Sequence, residues 1–362
     1  MTTTQPQEQL ALSAPIDTPA LVLDLDAVER NIDRMQTYCN NHDLDFRPHV
    51  KTHKLPEIAQ LQLSAGAVGV TCQKLGEAAV MAKAGITDLL ISFPLVGELK
   101  LQRLVELTEH ARVSTVGDSA LVARAISDAL ASKGRTVGFL VECDTGLGRA
   151  GVQTPNEAAA LAEFVNGLPG LRFDGFMTHP TVMASGPWLL AAKSEAERRR
   201  VRVAKVSGGG TPTAYQTHLV KVITELRAGT YVFGDRACIA NETVRLEDCA
   251  VRVAATVVSR PTRDRAILDA GSKALTTDPA YGASLDGHGL IVEYPDAEIT
   301  ALSEEHGHVD VSACERQPEI GELVTVIPNH VCACMNLYDE VLVHRHGRPE
   351  ARWPVAARGK SQ

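Results

Sequence analysis

A (β/α)8 barrel followed by an antiparallel β domain is the architecture this sequence predicts, and three observations lead to it. At 362 residues the chain is longer than one hydrophobic core usually serves, so a large domain and a smaller one are expected. From residue 45 to about 235, short apolar runs bounded by Gly, Pro or Asp alternate with longer helical stretches. After residue 240 the pattern changes to β runs with no long helices between them, the mark of a separate antiparallel domain.

Taken in order, Thr18–Leu25 reads as a strand and Ala27–Asn41 as the helix leading into the barrel. The barrel strands are expected at Asp45–Val50, Ala67–Cys72, Asp88–Phe93, Arg112–Val116, Gly138–Cys143, Phe173–Thr178, Val201–Val206 and Leu226–Phe233. Apolar runs this short suit parallel strands buried on both faces. Helices are expected between them, for instance over Lys74–Ala84, rich in Ala and Leu, and over Thr154–Asn166, which opens on Thr154 and Pro155. Eight such units in about 190 residues fit a TIM-type barrel; an open doubly wound sheet is the alternative. Glu247–Arg260, Arg265–Ala270, Gly289–Tyr294, Glu298–Ser303, Glu322–Ile327 and Glu340–His344 are the β runs of the second domain. The expected division is therefore a barrel over residues 26–240 and a β domain over 241–362, joined by the N-terminal strand at 18–25.

A formal charge of −8 disfavours nucleic acid and anionic membrane surfaces, which need clustered cations. The basic run from Arg198 to Arg202 follows Glu195 and Glu197 and reads as a solvated helix end. No stretch approaches the roughly 20 apolar residues needed to cross a bilayer. The start, Met1 to Glu8, has neither the cationic nor the apolar part of a signal peptide, so a cytoplasmic protein is expected. The eight cysteines show no framework of paired spacings, which points to thiols rather than disulfides.

In a barrel of this kind reactive groups collect where the strands end. The first run ends in Arg47-Pro48-His49-Val50-Lys51-Thr52-His53-Lys54. A lysine there is partly desolvated and has cations close by, and both effects favour a neutral, nucleophilic amine able to hold an aldehyde as a Schiff base. Taken alone it reads equally well as a lysine snorkelling at the rim. The fifth run passes into Asp144-Thr145-Gly146-Leu147-Gly148-Arg149-Ala150-Gly151, a glycine-rich loop from which Arg149 can reach an oxyanion. The sixth ends on His179. The seventh gives Ser207-Gly208-Gly209-Gly210-Thr211, whose backbone N–H groups and hydroxyls suit a phosphate at the place where such barrels often bind one. Arg227 and Gly229 follow the eighth.

In the second domain stands Asn329-His330-Val331-Cys332-Ala333-Cys334-Met335. On a strand, residues two apart share a face, so His330 and Cys332 are expected to project together, with Cys334 a third candidate. Imidazole with thiolate suits Zn²⁺, and two ligands leave positions for water or substrate, as in a catalytic site; buried cysteines beside an ordinary histidine are the alternative.

These features resemble the pyridoxal 5′-phosphate (PLP) enzymes built like alanine racemase, and most closely the D-threonine aldolase and D-serine dehydratase family. The matching motifs are RPHVKTHK (47–54), DTGLGRAG (144–151), SGGGTPT (207–213), LRAGTYVF (226–233), NHVCACMNLYDE (329–340) and WPVAARG (353–359), in the family's order over nearly the whole chain. The resemblance implies that Lys51 carries PLP, that Ser207, Gly208, Gly209, Gly210, Thr211, Gly229 and Thr230 hold its phosphate, and that Arg227 faces the pyridine nitrogen. Arg149 would lie near the phenolate oxygen or the substrate carboxylate, and His179 would stack on the ring or act as a base near the substrate hydroxyl. His330 and Cys332 would bind a divalent metal (Zn, Mn or Mg). Some aldolase members place an aspartate at the second metal position, whereas a cysteine is familiar among the dehydratases; Cys334 has no counterpart.

The activity implied is lysis of D-β-hydroxy amino acids: retro-aldol cleavage of D-threonine-type substrates to glycine and an aldehyde, or elimination from D-serine or 3-hydroxy-D-aspartate to a keto acid and ammonia. An amino acid racemase would need the lysine but no metal. A PLP-binding homeostasis protein would usually be a barrel alone. A small-molecule D-amino acid is the implied partner, and a homodimer the implied assembly.

Overall fold

The computed structural model describes residues 16–281 and 285–362, so the reading of Met1 to Glu8 lies outside the described residues. The described residues divide into two compact units, one formed by Ile32–Gly229 with Gly359–Gln362, the other by residues 16–31 with the described part of 230–358.

The first unit is the expected parallel barrel. Its eight strands are Asp45–Phe46, Val70–Cys72, Asp88–Ile91, Arg112–Gly117, Val137–Cys143, Leu171–Thr178, Lys205–Gly209 and Glu225–Arg227, numbered here first to eighth. The second to the eighth pair successively in parallel, and the first pairs with the eighth. A bridge between His49 and Thr71, with Val50 N–H donating to Thr71 O at 2.9 Å, joins the first to the second. Every residue of the fifth strand is buried, as a strand covered on both faces requires. Leu90, Val116, Leu140 and Met177, from the third to the sixth strands, form one packed cluster.

Local chemistry sets the element ends. The helix Pro155–Asn166 begins where Thr154 Oγ1 accepts Glu157 N–H and Glu157 Oε2 accepts Thr154 N–H, a reciprocal cap that stabilises its first turn by about 1 kcal/mol. The first strand stops short of Val50 because Pro48 has no N–H to donate. Arg47 N–H and His49 N–H nevertheless continue the ladder onto Leu226 O and Ala228 O at 3.0 and 2.9 Å. The helix Ser185–Arg198 ends inside the basic run, with Arg199 paired to Glu163 at 2.9 Å.

Two strands differ from expectation. The seventh lies at Lys205–Gly209 rather than Val201–Val206. Its small residues let the backbone pair closely on both sides, Met177 with Ser207 and Gly209 with Arg227, so packing overrides the weak strand propensity of glycine. The eighth ends at Arg227, and the buried run Tyr231-Val232 belongs to a 3₁₀ turn, Thr230–Val232. An apolar run that short cannot by itself separate strand from buried turn.

The second unit is built on a nine-stranded sheet centred on the long strand Val251–Thr262. The strand Ala20–Asp24 joins it, antiparallel to Val251–Thr262 and parallel to Glu340–Arg345. Arg265–Leu268, Leu290–Ile291, Glu298–Leu302 and Leu323–Ile327 are the expected runs, shortened. Gly307–Asp310 and Arg348–Pro354 are additional edge-side strands that their polar composition concealed. No helix among the described residues is long and apolar enough to cross a membrane.

Candidate active site

The ends of the barrel strands bring together side chains that are far apart in sequence. Lys51 is half-buried just beyond the first strand, with its N–H 3.4 Å from His49 Nδ1. His49, two residues earlier, is the residue that sequence reasoning missed. Its Nε2 lies 3.1 Å from both Gln73 Oε1 and Ser92 Oγ. Burial, then the charges of Lys51, Arg227 and His179, hold its pKa far below the usual histidine value, so it stays neutral. Its place between Pro48 and Lys51 was the available signal, but nothing in the sequence showed that its ring turns inward.

His179 follows the sixth strand. Burial and the nearby Arg227, Lys51 and Arg149 push its pKa down to about 3. Arg149, exposed on its loop, lies 3.8 Å from the buried Glu142. Burial raises the Glu142 pKa, opposed by Arg149 and Arg227, and its Oε2 has no hydrogen-bond partner. The loop is shaped by Asp144, whose Oδ1 accepts the N–H groups of Gly146, Leu147 and Gly148 at 2.9 to 3.1 Å.

The glycine-rich segment after the seventh strand is a tight backbone cradle. A Cβ on Gly208 would stand 2.2 Å from Thr181 Oγ1, and one on Gly229 2.7 Å from Thr52 Oγ1. Gly210 has φ +128°, open to glycine at little cost. Not every predicted phosphate donor is equally placed. Ser207 is fully buried, donating to Glu225 Oε1 at 2.7 Å and accepting from Arg227 Nε at 2.8 Å. Gly209 N–H donates to Thr181 Oγ1 at 2.9 Å. Gly210 and Thr211 continue the loop past these bonds. Arg227 also donates to Thr178 O at 2.7 Å, and burial lowers its pKa to about 10, leaving it charged at neutral pH.

In the second unit the expected strand at His330–Cys334 is instead a helical turn, Val331–Met335, entered from the extended His330. The three side chains therefore do not share a face. Cys334 is fully buried and its thiol lies 3.1 Å from Ala274 O, while His330 and Cys332 stay half-buried and bond to each other. His330 Nδ1 lies 2.7 Å from Asp278 Oδ2, and Cys332 Sγ 3.6 Å from Thr230 Oγ1. Burial works against the imidazolium, but Cys332 and Asp278 outweigh it and raise the His330 pKa to about 9.

Residues 23–237 match the family model for the alanine racemase N-terminal domain, and residues 250–344 that for the putative serine dehydratase domain. The chain is 37% identical to a D-threonine aldolase from Arthrobacter sp., over 99% of this chain and 96% of that protein. The chain is a member of the D-threonine aldolase and D-serine dehydratase family. The crystal structure of D-threonine aldolase from Filomicrobium marinum aligns with a TM-score of 0.88 at 34% identity, covering 96% of this chain and 97% of that one. D-threo-3-hydroxyaspartate dehydratase from Delftia sp. HT23 aligns with a TM-score of 0.84 at 27% identity, covering 96% and 99%.

The barrel of this family member fits pyridoxal phosphate. The Lys51 amine lies just past the first strand, the end of the seventh is packed too closely for a Cβ on Gly208 or Gly209, and Arg227, buried and charged, bonds to Ser207 of that strand. For a metal, the donor set of imidazole and thiolate is suited to a borderline-soft divalent ion. Among the described residues no group of three or more His, Cys, Asp and Glu side chains is arranged to hold one. His330 and Cys332 are the donors that the motif brings side by side.

Proposed function

We propose that the protein is a PLP- and divalent-metal-dependent lyase of D-β-hydroxy amino acids, cleaving D-threonine-type substrates to glycine and an aldehyde. Lys51, at the end of the first strand beside two histidines kept neutral, is the observation that carries this reading. Full-length similarity to the Arthrobacter and Filomicrobium D-threonine aldolases supports the choice of reaction.

Lys51 would hold the cofactor covalently, Gly208, Gly210, Thr211, Gly229 and Thr230 would cradle its phosphate, and His330 with Cys332 would hold the cation. Bound pyridoxal phosphate supplies a sink for the electron pair released when a bond at Cα breaks. A divalent cation lowers the pKa of an oxygen bound to it. Arg149 pairs with the substrate carboxylate and fixes which Cα bond is aligned for cleavage. His179, neutral because it is buried, accepts the β-hydroxyl proton. As that proton leaves, the hydroxyl oxygen becomes the aldehyde carbonyl and the Cα–Cβ bond breaks; protonation of Cα completes glycine. Arg227 cannot protonate a ring nitrogen, so it limits how much charge the ring takes up and keeps the demand on His179 high.

One observation favours elimination instead. The candidate donor beside His330 is a thiol, and a D-threo-3-hydroxyaspartate dehydratase has been solved as a histidine variant and, two positions on, as a cysteine variant in a metal-free form, the spacing of His330 and Cys332. In that reading the Lys51 amine takes the Cα proton and the β-hydroxyl leaves as hydroxide, and hydrolysis of the resulting enamine gives the keto acid and ammonia.

Incubation with D-threonine and D-serine, with and without EDTA, separates the two. Acetaldehyde and glycine identify the aldolase, and a keto acid with ammonia identifies the dehydratase. Turnover indifferent to EDTA overturns the metal role.

A further inference from the structure

We infer that Asp278 is a positioning residue for the metal site, setting the orientation and tautomer of His330 from behind the ring. The inference rests on the reading of His330 and Cys332 as ligands and adds a residue that no motif of the sequence marked, 52 positions away in the chain.

The geometry is specific. Asp278 Oδ2 lies 2.7 Å from His330 Nδ1. Once the ring is neutral, as a metal ligand must be, a carboxylate there accepts the Nδ1–H and the lone pair sits on Nε2, the nitrogen left to bind a cation. The same bond makes the ring a stronger donor. Asp278 is itself held: its N–H donates to Thr276 Oγ1 at 3.3 Å, and its carbonyl accepts from Asn329 Nδ2 at 3.3 Å. Asn329 is the residue before His330, so the two segments are tied at backbone and side chain together. Tyr281 packs edge-on against the imidazole, with centroids 5.2 Å apart. On the other side, Asp235 Oδ2 accepts the N–H of Val331 at 3.2 Å and fixes the start of the helical turn.

Asp278 acts through histidine and is not a ligand in this account. The described residues hold no three-membered ligand cluster, and the Asp278 carboxylate is spent on the far nitrogen of the ring. Losing such an outer carboxylate typically weakens metal binding by about 10–100-fold.

The test is equilibrium metal binding by the purified full-length PLP-loaded protein, with Zn²⁺ in competition with a chromophoric chelator and Co²⁺ as a spectroscopic probe. The variants are Asp278→Ala, the nearly isosteric Asp278→Asn and Cys332→Ala. Native protein should bind one ion and show a thiolate-to-Co²⁺ charge-transfer band that Cys332→Ala abolishes. Asp278→Ala should keep that band and the one-ion stoichiometry while its affinity falls about 10–100-fold, with Asp278→Asn between it and native. If Asp278→Ala does not fold, Asp278→Asn alone carries the comparison, with a loss of at least about threefold expected. Affinity within about twofold of native for the folded Asp278 variants overturns the inference. So does a loss as complete as that of Cys332→Ala, which would make Asp278 a ligand. Failure of the native protein to bind any ion sinks the metal reading itself, a separate outcome.

Discussion

Exchanging Glu225 for glutamine probes the buried charge network that fixes Arg227 in the barrel. The Glu225 carboxylate is 0% exposed and takes Arg47 Nε at 2.9 Å, Ser207 Oγ at 2.7 Å and the Lys205 ammonium. Burial raises its pKa, but the Arg47 and Lys205 charges outweigh burial and hold it down to about 2, against an ordinary 4.5. At 1.36 kcal/mol for each tenfold change in proton affinity, that preference for the charged form is worth roughly 3 kcal/mol. Removing one partner of a buried ion pair costs about 3–5 kcal/mol by a separate route, because the other charge is left uncompensated. For a unit of this size each kcal/mol moves the melting point by about 2–4 °C, so Glu225→Gln should melt about 6–20 °C lower at pH 7 in scanning calorimetry. The pH dependence has a definite sign. A depressed carboxylate pKa stabilises above the ordinary value and loses that stabilisation as pH falls toward the folded value. The gap between native and variant should therefore be constant above pH ~5 and narrow below ~4.5. A midpoint within about 2 °C of native at pH 7, or a gap that widens on acidification, refutes the reasoning.

Other consequences can be checked directly. A methyl group on Gly208 would collide with Thr181 Oγ1, which holds Gly209 N–H, so Gly208→Ala should raise the Kd for PLP at least about tenfold by fluorescence titration; unchanged affinity would remove the loop from the phosphate site. His179, with its pKa pushed down to about 3, should stay neutral from pH 5 to 8 when its ring nitrogens are followed by NMR in the apoprotein, and a midpoint above about 6 would contradict the burial argument. Cys332→Ala should abolish metal-dependent turnover while leaving the visible PLP band in place; equal loss of both would show that the cysteine serves the fold.

Much of this could be read from the chain because its signals were local. The strands before Lys51, Arg149 and His179 followed from short apolar runs cut off by Gly, Pro or Asp, and the helix start at Thr154 followed from Thr-Pro. What the sequence hid was set by tertiary packing. The seventh strand moved onto its own glycines because backbone pairing on both sides needed residues without bulk. The stretch after His330 formed a helical turn where alternation predicted a strand, since its three apolar side chains, Val331, Cys334 and Met335, are all buried at helical spacing. Asp278 carried no signal, and that of His49 was only its place beside Lys51, because their roles come from neighbours 24 to 52 positions away: Gln73, Ser92 and His330.

The attachment of the cofactor is the claim on which the rest depends. Borohydride reduction of the PLP-loaded protein, followed by proteolysis and mass spectrometry, should place the pyridoxyl group on the peptide containing Lys51 and on that nitrogen alone. A pyridoxyl group on another lysine, or none at all, would contradict the account.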